Sequence, residues 1–393
     1  MLRHKAYKFR LYPNSEQEIL IAKTIGSSRF VYNHMLNAWN ISYKETGKGL
    51  SYGKCSAMLP SMKKSEDTSW LKEVDSVALQ SSIKNLADSF DRFFKKQNQA
   101  PNFKSKKNPV QSYTTKNTNN NLAIIGNKVK LPKLGFVRFS KSREVNSRIL
   151  SATVRKNASG KFFVSLLCEE EINELPKTNN SVGIDLGITN FAILSDGQKI
   201  DNNKFTAKMA KKLKREQRKL SRRALLAKQK DVHLFEAKNY QKQKRKVARL
   251  YEKVRNQRTD FLNKLSTEII KNHDIVCIED LNTKGLLRNH KLAKSISDVS
   301  WSSFVTKLQY KADWFGREII KIDTWFPSSQ FCSECGRKDG KKPLDIREWT
   351  CPICHVRHDR DINAAINILT EGLRIQSFAY RESRTVGSTG IAW

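Results

Sequence analysis

The sequence predicts a multidomain α/β chain, and three observations carry that prediction. Basic–apolar alternation, the period of a strand with one wet face, opens the chain at residues 5–12, and short strands punctuated by turn signals follow between 122 and 169. Helically spaced apolar residues fill much of the stretch between them. Beyond residue 181, apolar strand-like runs end in acids far apart in sequence, at Asp185 and Glu279, and Asp361 opens a final helical stretch. The expected architecture is an N-terminal β-barrel with an inserted helical lobe, then an α/β domain interrupted by a four-cysteine module.

Each element follows in order. Residues 5–12 form the first strand, Pro13-Asn14 ends it, and Ser15-Glu-Gln-Glu18 reads as a capping box that starts a helix. Residues 29–43 continue as an aromatic-rich helix, and Leu79, Ile83, Leu86, Phe90 and Phe93 mark another over 76–97. Residues 103–117 are basic and rich in Ser, Thr and Asn. Strands are expected at 122–125, 128–131, 136–139, 149–155 and 162–169, separated by turn signals such as Gly126-Asn127. After a linker at 177–181 come a hairpin (182–185 and 190–194) and a third short strand at 199–200. Residues 204–258 hold 21 Lys and Arg against four acids and read as a hairpinned basic helical segment. A strand at 275–279, a helix at 301–315, a strand at 318–325 and a closing helix at 361–369 complete the domain. The tail after Gly372 lacks periodicity and is expected to be disordered.

Bulk properties narrow the function. The 393 residues carry a net charge of +35, which opposes compaction unless a polyanion neutralises it. Nucleic acid is the natural polyanion, since each Lys or Arg on a phosphate releases condensed counterions. No secretory signal and no run of about 18–20 apolar residues is present, so no membrane partner is expected. Four of the seven cysteines form two close pairs while Cys55, Cys168 and Cys277 stand alone. That usage reads as metal binding in a reducing cytosol.

Three acids that converge only on folding, in so basic a chain, point to divalent cations held against a phosphodiester. Mg²⁺, or Mn²⁺ in its place, prefers a few carboxylates plus water. Strand–strand–strand–helix–strand order, with one acid on the first strand and one on the fourth, is the plan of the ribonuclease H-like fold. Asp185, Glu279 and Asp361 are the expected catalytic and metal-holding residues, with Gly183 and Gly187 giving clearance for substrate or backbone. Asp280, Asp323 and Asp359 are neighbours that compete for the assignment. Asp361 is preferred to Asp359 because it directly precedes Ile-Asn-Ala-Ala. Cys332-x2-Cys335 and Cys351-x2-Cys354, 15 residues apart, have zinc-ribbon spacing. His355 and His358 flank the second pair as possible substitutes. Asp361 follows Cys354 by only seven positions, so loss of zinc should disturb the third carboxylate.

Gly-Ile-Asp185-Leu-Gly, Ile-Glu279-Asp-Leu-Asn, Ser328-Ser-Gln-Phe-Cys-Ser-Glu-Cys-Gly336 and Asp361-Ile-Asn-Ala-Ala resemble the signatures of TnpB, the insertion-sequence-encoded relatives of type V CRISPR effectors. Lys5-Ala-Tyr-Lys-Phe-Arg-Leu-Tyr-Pro13, Arg29-Phe-Val-Tyr-Asn33 and the stretch 256–266 resemble the same family. The resemblance spans all but about the last twenty residues. It implies an RNA-guided endonuclease that cuts double-stranded DNA beside a short flanking motif, using a guide RNA from the element's end in the prokaryotic cytosol. It further implies a wedge-like barrel (1–12 and 103–180), a helical recognition lobe (13–102), a RuvC-like nuclease domain (181–331 and 355–372) and a zinc ribbon (332–354). No second nuclease motif is visible, so one site would cut both strands, and none of the three acids is substituted. Guide pairing would carry target sequence. Arg218, Arg222, Arg223 and Arg245 on the basic segment are expected to contact phosphates. Tyr52 and Gln80 resemble the positions where the family reads the flanking motif.

Overall fold

Alternation sorts the side chains of the first strand, β1 (Leu2–Tyr12): Tyr7, Phe9 and Leu11 are buried while Lys8 and Tyr12 are exposed. The computed structural model describes residues 1–388 except Pro109 and Leu344, with the backbone alone for 284, 379 and 381–388. It divides into two units, Met1–Glu171 and Ile172 onward.

In the first unit β1 is followed by α1 (Ser15–Thr46), α2 (Tyr52–Lys64), a 3-10 turn and α3 (Ser76–Phe94). The strands β2 (Gln111–Lys116), β3 (Ala123–Ile125), β4 (Lys128–Leu131), β5 (Gly135–Ser140), β6 (Arg148–Lys156) and β7 (Phe162–Glu171) come next. All pair antiparallel, in the order β2-β6-β7-β1-β5-β4-β3. The helices are thus inserted between the first and second strands. Ile21 and Ile25 of α1 and Ala78 of α3 nevertheless share the core of the sheet.

Two sequence expectations shift here. The capping box lies one residue earlier: Asn14 Oδ1 accepts from the Gln17 amide at 2.8 Å, and Gln17 Oε1 accepts from the Asn14 amide at 3.1 Å. The stretch 103–117 also contains a strand, β2, whose polar sequence hides it. Only Tyr113 and Thr115 are buried along it, and it sits at a sheet edge.

The second unit begins with β8 (Ser181–Asp185), β9 (Asn190–Leu194) and β10 (Lys199–Asp201), an antiparallel meander. The helices α4 (Phe205–Gln229) and α5 (Lys238–Asn272) lead to β11 (Ile275–Glu279), which runs parallel to β8. After α6 (Thr283–Leu286), α7 (Ala293–Val299) and α8 (Trp301–Phe315), β12 (Glu318–Ile322) adds in parallel. The order is β10-β9-β8-β11-β12. β12 stops at Ile322, short of the expected 325, because the Asp323 carboxylate accepts from the Trp325 amide and turns the chain. A two-stranded ribbon, β13 (Glu348–Thr350) with β14 (Arg357–Asp359), precedes α9 (Arg360–Ser388).

Alternation along β11 places helices on both faces of this sheet. Val276 and Ile278 pack with Leu262, Ile269, Trp301 and Phe304, whereas Cys277 packs with Ile320, Ile322 and Ile368 of α9. Two glycines let α9 lie close. A Cβ on Gly183 of β8 would sit 2.1 Å from the Ala365 carbonyl oxygen, and one on Gly372 would sit 2.3 Å from Cys277 Sγ. The clearance at Gly183 therefore serves neighbouring backbone. Gly372, where the last helix was expected to have ended, is a close-packing site inside it. The helix continues to Ser388, with Ile375 packed on the sheet, so the tail expected to be disordered is helical that far. Residues 389–393 lie outside those described.

Candidate functional site

Three elements bring three acids together. β8 ends in Asp185, the adjacent parallel β11 ends in Glu279, and Asp361 lies in the first turn of α9. The first and second strand ends are neighbours because Ile278 pairs with Ile184. Burial, then the charges of Glu279 and Asp361, push the half-buried Asp185 carboxyl up to about 7, while Arg360 opposes the shift. Burial also raises Glu279, against a 2.8 Å hydrogen bond from Ser328 Oγ to its Oε1. Asp361 accepts from Arg347 at 3.2 Å. Two carboxylates whose charges both raise a third mark a shared site, and an added cation relieves that repulsion. All three offer hard oxygen, the donor type that Mg²⁺ and Mn²⁺ take.

The competing acids have other partners. Asp280 pairs with Lys321 at 3.0 Å on the surface, and Asp323 caps its own turn. Asp359 pairs with Lys199 and accepts from the amides of Asp361 and Ile362, which makes it the cap of α9. These bonds hold Asp359 below the ordinary carboxylate range despite burial.

The cysteine module is built from two turns of one shape. Cys332 and Cys351 each donate an amide to a carbonyl five residues on, at Arg337 and Val356, and each accepts from the residue after its partner cysteine, Gly336 and His355. Both of these donor residues have positive φ, 72° at Gly336 and 58° at His355. Glycine meets that demand without strain and His355 meets it as a backbone position, not as a ligand. The sulfurs of Cys332, Cys335, Cys351 and Cys354 all lie within 4.8 Å of one another. Among the described residues this is the one such set of possible metal-ligand atoms. Four closed thiolates suit a structural Zn²⁺. His358 is more than a bystander: its Nε2 lies 3.1 Å from Cys332 Sγ, and its ring packs against Trp349.

Asparagines on α9 tie this module to the acids. Asn363 Nδ2 donates to the Phe331 carbonyl and its Oδ1 accepts from the Ser333 amide. Asn367 Nδ2 donates to the carbonyls of Phe331 and Ser328. One face of the helix therefore fixes the first cysteine turn and the residue that bonds Glu279. Ser328, Arg347, Asn363 and Asn367 have no role assigned from the sequence. The i, i+4 asparagines on an otherwise apolar helix face are the one signal that could have found two of them.

The other expected contact residues stand on other elements. Arg218, Arg222 and Arg245 on α4 and α5 are exposed, whereas half-buried Arg223 donates to the Asn239 carbonyl at 2.8 Å and pins the two helices. In the first unit Tyr52 and Gln80 are both exposed. Lys84, one turn along α3 from Gln80, lies 5.8 Å from the Tyr52 ring centroid, so the pair shares one face.

Comparison with known proteins adds to this geometry. Residues 165–290 match a family model described as "Probable transposase", 301–368 one described as "Cas12f1-like, TNB domain", and 1–48 one described as "Helix-turn-helix domain". In that last stretch the structure has β1 and one long helix. A "Putative RNA-guided DNA endonuclease" of Streptomyces pristinaespiralis is 38% identical over 98% of this chain and 95% of its own. The "Putative RNA-guided DNA endonuclease InsQ" of Escherichia coli K12 is 32% identical over 95% and 93%. The fold is similar to that in a "Cryo-EM structure of the Cas12f1-sgRNA-target DNA complex", with a TM-score of 0.53 at 14% identity, over 93% of this chain and 98% of that one.

Proposed function

The chain belongs to the TnpB (IS605 OrfB) family, and from that premise we propose an RNA-guided, magnesium-dependent endonuclease of an insertion sequence. It cuts double-stranded DNA beside a short flanking motif with one RuvC-like, ribonuclease H-like site. The observation that supports this reading is that the half-buried Asp185 carboxyl is raised by burial and then by the charges of Glu279 and Asp361, acids from two other elements.

In this reading Asp185, Glu279 and Asp361 hold Mg²⁺ or Mn²⁺. When bound, the ions supply charge neutralisation on the attacking and leaving oxygens of the phosphodiester. Ser328 fixes one Glu279 oxygen and leaves the other to face a cation. Arg347 shields Asp361 from Asp185 until substrate phosphate competes for the guanidinium. Cys332, Cys335, Cys351 and Cys354 hold Zn²⁺ and keep α9, and with it Asp361, in place through Asn363 and Asn367. Exposed Arg218, Arg222 and Arg245 meet phosphates of the guide RNA or its heteroduplex, while base pairing by the guide selects the target. The seven-stranded sheet serves as the wedge-like barrel and the helices of 13–102 as the recognition lobe, with Tyr52 and Gln80 toward the flanking duplex. Among the described residues no helix is long and apolar enough to cross a membrane.

The test is to sequence the RNA that co-purifies with the chain, then supply a plasmid bearing the matched target with a randomised flank. Mg²⁺-dependent linearisation, restricted to a subset of flanks, supports the reading. Strand-transfer products with a donor end would instead identify a transposase.

A further inference from the structure

The motif Arg29-Phe-Val-Tyr-Asn33 has no part in the chemistry above, yet the first unit builds a cavity around it. The cavity holds about 200 Å³, is lined by α1, α3, β2 and by Lys104, Ser105, Asn108 and Val110 ahead of β2, and has neither Asp nor Glu among its described lining residues. Space of that size admits a phosphate group with a few waters, each filling roughly 30 Å³. Two cations line it, Arg29 and Lys104, with hydroxyls and amides from Ser28, Ser82, Asn85 and Gln111 among the rest.

Both cations are fixed before any ligand arrives. Asn33 clamps the Lys104 backbone from both sides, accepting from its amide at 2.8 Å and donating to its carbonyl at 2.9 Å. The Lys104 ammonium lies 3.7 Å from the Tyr32 ring centroid. Arg29 donates to Gln111 Oε1 at 3.2 Å, and Gln111 is anchored in turn on the Asn108 carbonyl at 2.6 Å. Neither cation has a carboxylate partner among the described residues. The Ser28 hydroxyl points the same way: its residue is only 6% exposed, it lines the cavity, and its oxygen has no hydrogen-bond partner. A buried hydroxyl without a partner is costly to leave unsatisfied, and this one lines the cavity beside the two cations, where a ligand oxygen would satisfy it. Held cations, neutral donors and no acid are what a phosphodiester requires.

We propose that this cavity is a phosphate-binding site that seats one backbone phosphate of the bound nucleic acid, through Arg29, Lys104 and Ser28. The assignment rests on the RNA-guided reading above and adds to it a fixed point at which the first unit holds the nucleic-acid backbone.

The experiment uses the full chain with its co-purified RNA and a matched target duplex, comparing wild type, Lys104→Gln and Ser28→Ala. Binding is measured across salt, with single methylphosphonates walked along the RNA-pairing DNA strand, the opposite strand and, as a third arm, the RNA. Expected for Lys104→Gln is a salt slope reduced by about 0.7 for a single strand or 0.9 for a duplex, with several-fold weaker binding. Ser28→Ala should weaken binding several-fold with an unchanged slope and no loss of melting temperature, since it removes an unpartnered hydroxyl. One neutralised phosphate should weaken wild type and have no further effect on Lys104→Gln, and the arm containing it identifies the strand. Wild-type affinity, slope and interference pattern in both variants would overturn the proposal. Failure of wild type itself to bind RNA or target would overturn it together with the reading beneath it.

Discussion

In the cysteine module two turns of one shape bring four sulfurs within 4.8 Å of one another, whereas the three carboxylates come from two strand ends and a helix and each keeps a protein partner or a half-open face. Soft donors are gathered into a closed set whose geometry is complete locally, between residues 332 and 354. Hard donors are gathered by the whole domain and left half-buried beside one another, with Asp185 pushed up to about 7 by burial and then by the charges of Glu279 and Asp361. A closed thiolate set is what a structural ion needs, and an open, charge-stressed carboxylate set is what a site needs if substrate oxygens are to share the ions. In the proposed function the closed set carries stability and the open set carries chemistry.

The comparison breaks first if the cysteines are dispensable. Purified protein should hold about one zinc per chain, and Cys332→Ser or Cys351→Ser should lose it. Because structural zinc contributes several kcal/mol to small modules, the melting temperature should fall sharply and cleavage with it. Elemental analysis and thermal melts check this, and folded, active, zinc-free protein would end the distinction.

The carboxylates should behave in the opposite sense. Asp185 binds its proton more tightly folded than unfolded, so the native state carries the extra proton between about pH 4 and about pH 7. Stability in Mg²⁺-free buffer should therefore fall as pH rises through that window. Asp185→Asn should flatten the decline and raise the melting temperature above pH 7, by about 2–4 °C for each kcal/mol recovered in a domain of this size. An equally steep profile in the variant would show that the Asp185 carboxyl is not raised in the folded state.

How much of this was legible depends on the range of the interactions. The acids and cysteines stand in short motifs whose residue types limit their chemistry, so Asp185, Glu279, Asp361 and the four cysteines could be named before the fold. Strands such as β7 and helices such as α3 follow from strong periodicity. The edge strand β2 was hidden because Gln-Ser-Tyr-Thr-Thr-Lys buries only two side chains. The length of α9 was hidden because Gly372 reads as a stop, and only tertiary contact with Cys277 shows that it is a packing site. Ser328 on Glu279, Arg347 on Asp361 and His358 on Cys332 link residues 14 to 49 positions apart, beyond any local pattern.

The contrast between fixed and open groups sharpens on the basic helices. Replacing Arg218, Arg222 and Arg245 by Gln should reduce the salt slope of nucleic-acid binding by up to about 0.9 for each phosphate no longer neutralised. Arg223→Gln should instead lower the melting temperature, because its guanidinium joins α4 to α5. Equal slopes in the triple variant and wild type would make that surface merely solvated. The smallest effect is expected at Gln80. Gln80→Ala should change which flanks support cleavage in a randomised library while leaving zinc content and melting unchanged, since base edges are read by directed hydrogen bonds. An unchanged flank preference would remove Gln80 from the readout.

The most direct test of a single open carboxylate site is strand-resolved cleavage by Asp185→Ala assembled on guide RNA, with both target strands end-labelled. The variant should retain zinc and target binding while cutting of the two strands falls together, by at least about 10²–10³-fold, the order expected when one group that stabilises transition-state charge is removed. Continued cutting of either strand at the wild-type rate would contradict the account.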